Sequence, residues 1–125
     1  MAEVQWQSEP EEHDYPAAAA YLSLLATDGA VAAIVANLRE APVIHRKAKD
    51  ILRASGLELL DEHNVHVAAD LEKIHKGKSL SPVLLVRGDF AAGAHLQIAD
   101  GYHRVCASYH VNENTDIPCR LAGGH

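Results

Sequence analysis

Apolar residues in the first half of the chain recur at the spacing of short amphipathic helices. The clearest series, at intervals of three and four residues, consists of Val31, Ile34, Val35 and Leu38. Such a series places its side chains on one face of a helix, which can then pack against a core. Pro42 interrupts it, and helical spacing resumes at Ile44 and ends before Gly56, a residue suited to the left-handed turn after a helix. We therefore predict two or three short helices in this half.

The second half of the chain changes to a mixture of helices and strands. A continuous apolar run of strand length and a segment of alternating polarity indicate two strands, separated by a turn. The predicted elements are a helix over 67–77, strands over 82–87 and 94–99, a helix over 101–111 and a strand over 116–121. Pro118 cannot donate a ladder hydrogen bond, so we expect the last strand at an edge of the sheet, or Pro118 near that strand's start.

These elements predict one compact domain of the α+β class. Residues 57–125 are expected to form a small mixed sheet with flanking helices, and residues 15–56 an N-terminal helical segment that precedes it. Residues 1–14 are polar and acidic and are expected to be a flexible lead-in. The length of 125 residues fits one domain, and an apolar fraction of 48% is enough for a continuous core.

Charge limits the partners that the chain is expected to have. The formal net charge is −6 with histidine neutral, so there is no uniform basic field to attract a nucleic-acid backbone. The one local basic run, from His45 to Lys49, is interpreted as the solvated face of a helix. A protein partner is expected at the helices of residues 15–56, which could also act as a lid.

The sequence predicts a cytoplasmic protein without a membrane segment or a metal centre. Its N-terminus does not resemble a secretory signal, and no stretch approaches the roughly 18 apolar residues of a membrane span. In that compartment Cys106 and Cys119 are expected to be free thiols. His63 and His66 are close in sequence but lack a third ligand nearby, so we predict no metal site there.

The segment from Asp100 to Arg104 carries the strongest functional signal. It leads from a predicted strand into a predicted helix, whose first turn leaves backbone N–H groups unpaired at the positive end of the helix dipole. Gly101 permits a sharp turn, Arg104 offers a fork of donors that matches phosphate oxygens, and His103 adds a donor that responds to an anion. Together they predict a phosphate pocket. The alternative is an ordinary helix start, capped by Asp100 and flanked by solvated side chains.

The sequence around this motif resembles the ParB/sulfiredoxin superfamily. The resemblance covers residues 62–122 and includes the apolar strand after Pro82, the motif Gly101-Tyr102-His103-Arg104 and the closing segment Ile117-Pro118-Cys119-Arg120-Leu121. Sulfiredoxins carry Gly-Cys-His-Arg and Ile-Pro-Ala-Lys-Leu at the last two positions. ParB proteins carry Gly-Glu-Arg-Arg, and free-serine kinases of this fold an Asp-Gly-His-x-Arg-like motif. The resemblance implies a ParB/sulfiredoxin-like sheet in the second half of the chain.

The same resemblance implies that the protein binds nucleotide phosphates. In the family the His and Arg of the motif hold the phosphates, a role that falls here on Gly101, His103 and Arg104, with Tyr102 in the same motif. Lys73 is a loose match to a lysine contact from the preceding helix. The expected ligand is ATP, ADP or CTP, and Mg²⁺ could accompany it, because that ion needs only one or two protein carboxylates.

Departures from the family leave the chemistry open. Tyr102 stands where sulfiredoxins need a cysteine, so we do not expect sulfiredoxin activity. The motif has one arginine where ParB proteins have two, and we expect no DNA-reading domain to follow, which counts against the alternative of a DNA-partition accessory or regulator. A second alternative is a phosphotransferase of the free-serine-kinase type. Its catalytic carboxylate would be Asp61, Glu62 or Asp100, although the first two could equally be ordinary surface acids.

Overall fold

The structure, a computed structural model, describes residues 3–123. Within that range the chain forms five helices and six short strands. In chain order they are β1 (Gln5–Trp6), α1 (Asp14–Leu22), α2 (Asp28–Glu40), β2 (Ile44–Lys47), α3 (Ala48–Ser55), α4 (Val65–His75), β3 (Ser79–Leu80), β4 (Val83–Val86), β5 (Gln97–Asp100), α5 (Tyr102–Val111) and β6 (Asp116–Ala122). The predicted α+β class is confirmed.

Four of the strands form a mixed sheet in the order β2-β6-β4-β5. Strand β6 runs parallel to β4 and antiparallel to β2, and β5 runs antiparallel to β4. The remaining two strands, β1 and β3, form a separate parallel pair. The sheet places the end of β5 beside the start of β4, with Leu84 opposite Asp100, and this register fixes where α5 begins.

Helices cover both faces of the sheet, and successive side chains along a strand point alternately into two cores. Val83 and Leu85 belong to a first core that the sheet forms with α3, α4 and α5, whereas Leu84 belongs to a second core with α1 and α2. All three side chains are at most 2% exposed. A strand buried on both faces has no polar side to show, which explains the continuous apolar run in the sequence.

Helix ends follow the local signals in the sequence. The Thr27 hydroxyl accepts a hydrogen bond from the Ala30 N–H at the start of α2, and the side chain of Asn64 accepts two backbone N–H groups at the start of α4. Gly56 closes α3 with φ of 70°. This left-handed conformation costs glycine little because it has no Cβ. The helix predicted from the series Val31 to Leu38 is confirmed as α2.

Part of the predicted lead-in over residues 1–14 pairs with the rest of the fold in the range that the structure describes. Gln5 and Trp6 pair with β3, and the Gln7 N–H extends this pairing with a 2.8 Å hydrogen bond to the Leu80 carbonyl. Trp6 packs against the first core, and burial of its large ring explains why a polar segment is held in place. Asp14 is itself buried and starts α1.

The helix predicted to resume at Ile44 is wrong for its first turn. Residues Ile44–Lys47 form an edge strand, and the helix begins only at Ala48. The strand pairs with β6 over its full length, and Ile44 lies opposite Cys119. Backbone pairing with a distant strand has overridden the local spacing. The basic run therefore starts on a strand, with His45, Arg46 and Lys47 exposed, rather than on a helix face.

Pro118 does not mark an edge strand, because β6 lies in the interior of the sheet. The pairing explains how the proline is tolerated. Strand β6 meets β2 from Asp116 onward, but its pairing with β4 starts only at Cys119. At Pro118 the strand therefore has one neighbour instead of two, and the missing N–H leaves no ladder bond broken on the β4 side. Pro118 therefore lies near the start of β6, which was the second of the two positions expected for it.

Three further sequence expectations bear on the fold. The strand predicted over 94–99 starts later, at Gln97, because the preceding residues form a turn that the Asp89–Ala94 bridge closes. Across residues 3–123 the helices are too short or too polar to span a bilayer. Cys106 and Cys119 are both buried and unpaired, as expected for free thiols.

Candidate functional site

The predicted motif lies at a cleft between the start of α5 and one face of α4. The cleft has a volume of about 250 Å³. Its titratable side chains, two imidazoles, two cations and two carboxylates, are His66, His103, Lys73, Arg104, Asp70 and Asp100. Of the predicted binding residues, the structure brings together Gly101, His103, Arg104 and Lys73. These residues come from two helices that pack together, so the cleft has a rigid frame.

Gly101 makes the turn from β5 into α5, and no other residue fits there. Its φ is 109° and its ψ is 18°, in a region that side-chain-bearing residues avoid. A Cβ on Gly101 would lie 2.5 Å from Cγ1 of Val83 and 2.9 Å from Nη2 of Arg104. As the N-cap of α5, Gly101 offers no side chain to accept the first N–H groups of the helix. The positive end of α5 is therefore left for a ligand or for water.

Arg104 is held in place by contacts to one of its three guanidinium nitrogens. Nη2 donates to Oδ2 of Asp100 at 2.9 Å and to the Pro82 carbonyl at 3.3 Å. Nε is buried without a partner among residues 3–123, while Nη1 bonds to none of these residues and is not buried. The side chain is only 17% exposed. Asp100 thus orients the guanidinium and leaves one of its donors open.

Two imidazoles line the cleft side by side. The ring centroids of His66 and His103 are 4.7 Å apart, with the planes tilted by 46°. Burial, and then the neighbouring His66, lower the pKa of His103, while Asp70 opposes that shift. His103 is therefore neutral in the empty cleft at neutral pH, and a bound anion would favour its charged form.

The two carboxylates of the cleft differ in their partners. Burial raises the pKa of Asp70, and the surrounding basic groups, Lys73 first and Arg104 next, oppose the shift. Burial also raises the pKa of Asp100, against the effect of Arg104. Each carboxylate takes up a proton more readily than a solvated one. They are also the oxygen ligands that a magnesium ion accompanying phosphates would use.

Sequence reasoning missed His66 as a cleft residue and gave Asp70 no role, although the pattern contained a signal. His66, Asp70 and Lys73 are spaced by four and three residues and lie on one face of α4. Each directly precedes an apolar position, Val67, Leu71 or Ile74, that belongs to the first core or packs against it. This polar series lies next to the buried series on α4, a helix that packs against the glycine motif. The combination would have identified α4 as the second side of the cleft.

Three predicted site residues lie elsewhere. The Tyr102 hydroxyl donates to the Glu58 carbonyl at 2.5 Å, so this ring fastens the segment before α4 and does not line the cleft. Asp61 and Glu62 are exposed on the turn before α4. Asp61 accepts the His63 N–H at 2.7 Å, which is the role of a turn residue. Among the three carboxylates predicted as catalytic candidates, only Asp100 lies at the cleft.

The cysteines also lie away from the cleft. Both belong to the first core, and burial raises the pKa of each thiol, that of Cys119 to about 11. A thiol with a raised pKa is protonated at neutral pH and is a poor nucleophile. Neither thiol is therefore positioned or activated to act at the cleft.

No protein-family model, curated protein or solved structure matches this chain. The geometry of the cleft combines an uncapped helix end, an oriented guanidinium, a neutral imidazole and an exposed ammonium group at Lys73. These groups donate hydrogen bonds or carry positive charge, and together they can hold a small polyvalent anion.

Proposed function

We propose that this protein binds the phosphate groups of a nucleotide at the start of α5. The proposal rests on one observation: Arg104, His103 and Lys73 line one cleft at a helix N-terminus that no side chain among residues 3–123 caps. A phosphate there accepts backbone N–H groups and charge-assisted side-chain bonds at once. The formal net charge of the chain is −6, so a guanidinium and an ammonium group that line one cleft at a helix N-terminus stand out against the overall charge.

The size of the cleft defines which part of the ligand it holds. A volume of about 250 Å³ is below the range of roughly 300–1,000 Å³ for sites that enclose a drug-sized ligand. The cleft therefore holds phosphates, while sugar and base lie along the protein surface. ATP, ADP and CTP all satisfy this requirement. Mg²⁺, if bound with them, would use the carboxylates of Asp70 and Asp100.

The resemblance to the ParB/sulfiredoxin superfamily agrees with this proposal. It assigns the phosphate role to Gly101, His103 and Arg104, and each of these residues lines the cleft. A strand that turns at glycine into a helix, next to a preceding helix that supplies a lysine, is the arrangement that the resemblance implies. Under this proposal the chain is a ParB/sulfiredoxin-like nucleotide-binding protein.

A calorimetric titration tests the proposal. ATP, ADP and CTP are each titrated into the wild-type protein, with and without magnesium, and at least one is expected to bind with micromolar affinity. Arg104→Ala should weaken binding by tenfold or more, because it removes a charge-assisted contact of about 1.5–3 kcal/mol. Arg53→Ala is the matched control, since Arg53 is an exposed arginine outside the cleft. A wild-type protein that binds none of the three nucleotides would refute the proposal.

A phosphotransferase is the second candidate, and Asp70 favours it. A half-buried carboxylate with a raised pKa, next to a phosphate site, suits a general base for an incoming hydroxyl. Asp70 fits this role better than Asp61 or Glu62, which are exposed and outside the cleft. Nucleotide turnover with a panel of hydroxyl-bearing metabolites, lost in Asp70→Asn while nucleotide binding persists, would establish it. Absence of turnover across the panel would leave a binding protein.

A further inference from the structure

A second cleft lies at the opposite end of α5 and has a different chemistry. It has a volume of about 490 Å³. The side chains that matter for its chemistry are Glu3, Trp6, Asn112, Asn114 and Asp116. It is separated from the phosphate cleft by the ten residues of α5, about 15 Å of helix. It therefore does not depend on the proposed nucleotide function.

The charges of this second cleft are all negative. Glu3 and Asp116 are exposed, and neither forms an ion pair with another residue in the range 3–123. Among residues 3–123 the lining contains no lysine, arginine or histidine. Lys47 is opposite Asp116 in the β2–β6 register, yet the two form no salt bridge. The C-terminus of α5 adds the negative end of its dipole to these carboxylates.

Trp6 provides the remaining wall of the cleft. It is half-buried, because the β1–β3 pairing holds its backbone and the first core packs against the ring. An indole next to carboxylates that form no ion pair among residues 3–123 attracts an organic cation, which gains both ring contact and charge pairing. An anion would be repelled there. A bare metal ion would gain nothing from the apolar surface of Trp6 and Val111.

We propose that the cleft bounded by Trp6, Glu3 and Asp116 binds a small organic cation, an aliphatic amine or guanidine. Its alkyl part lies against the indole and Val111. Its charged group lies between the two carboxylates, where the amide oxygens of Asn112 and Asn114 are further acceptors. The volume of the cleft is within the usual range of roughly 300–1,000 Å³ for small-ligand sites.

The single tryptophan of the chain reports on this cleft directly. Spermidine and agmatine are titrated into the full-length protein at constant ionic strength while tryptophan fluorescence is recorded. A saturable change is expected for at least one of them. Asp116→Asn should raise its Kd by about tenfold, because one charged partner is lost. Glu40→Gln, which alters an exposed acid outside the cleft, should leave the Kd unchanged.

Two controls separate recognition from general screening. Magnesium chloride at matched ionic strength should not reproduce the fluorescence change, and an equal response would overturn the proposal. Trp6→Leu is followed by calorimetry, since it removes the reporter, and should weaken binding severalfold while the melting curve shows that the protein is folded. Should Trp6→Leu fail to fold, Glu3→Gln and Asp116→Asn decide. Binding unchanged in both, or no saturable response to either amine, contradicts the proposal.

Discussion

The two ends of α5 face clefts of opposite character. At the N-terminus, Arg104, His103 and Lys73 surround an uncapped helix start, whereas at the C-terminus Glu3 and Asp116 flank an indole. The cations at the N-terminus and the carboxylates at the C-terminus each add to the local sign of the helix dipole. Under the two proposals, a single helix of ten residues offers an anion site at one end and a cation site at the other. The overall charge of the chain reveals neither.

Gly101→Ala should produce the largest effect on stability, and it should affect ligand binding only at the N-terminal end of α5. The new Cβ would overlap Val83, and the φ of 109° would become strained, so we expect the free energy of unfolding to fall by about 3 kcal/mol. Phosphate binding should be lost, since the helix start must move. Cation binding at the other end should persist wherever the variant is folded. Urea unfolding followed by both titrations measures these effects.

Two other glycines serve as matched controls for that substitution. Gly77→Ala meets no atom within 4 Å but shares a positive φ, so it should cost about 1 kcal/mol from backbone strain alone. Gly29→Ala, inside α2 with open space and no positive φ, should stabilise the protein by up to about 1 kcal/mol. A Gly101→Ala variant no less stable than Gly77→Ala would show that the contact with Val83 is relieved at no cost.

Asp100→Asn should strengthen phosphate binding by about fivefold. The substitution removes a like charge next to the ligand and loosens the contact that holds Nη2 of Arg104. The C-terminal cleft should be unaffected. The calorimetric titration with nucleotide measures the change in affinity. Urea unfolding measures any loss of stability that follows from breaking the Asp100–Arg104 ion pair. Weaker binding in this variant would mean that Asp100 is needed to orient the guanidinium, so that its attraction for Arg104 outweighs its repulsion of the ligand.

Lower pH should strengthen binding at the N-terminal end to a smaller extent. The pKa of His103 is below its usual value in the empty cleft, and a phosphate raises it, so binding takes up a proton. We expect affinity to rise about threefold from about pH 7.5 to about pH 6.5.

His103→Gln separates this effect from protonation of the ligand itself. The substitution should reduce the pH dependence while the contribution of the nucleotide stays the same. The comparison uses calorimetry at both pH values for the wild type and the variant. A pH dependence identical in the two proteins would show that His103 does not exchange a proton on binding.

Local chemistry in the sequence predicted a good part of the fold and half of the site. Spacing and caps identified α2, α4 and α5, and the run before Arg87 identified β4, because their burial patterns are properties of short segments. The Ile44–Lys47 strand could not be found this way, since only pairing with β6, about 70 residues later, makes it a strand. The interior position of Pro118 likewise depends on where β4 begins.

The candidate site likewise combines features set by adjacent residues with features set by tertiary contacts. The turn and helix start at Gly101 follow from adjacent residues, so the motif was readable. The contribution of α4 required knowing that its polar face packs against α5, which is a tertiary fact. The second cleft was beyond prediction from the sequence, because Trp6 and Asp116 are 110 positions apart and meet only through the fold.

The most direct test of the account is where a nucleotide binds. Amide chemical shifts of the isotope-labelled protein are recorded by NMR as ATP, ADP or CTP is added. The account predicts saturable shifts concentrated at Gly101, Tyr102, His103 and Arg104 and on the His66–Lys73 face of α4, with the residues around Trp6 unchanged. Saturable shifts confined to another surface, or no saturable shifts with any of the three nucleotides, would contradict it.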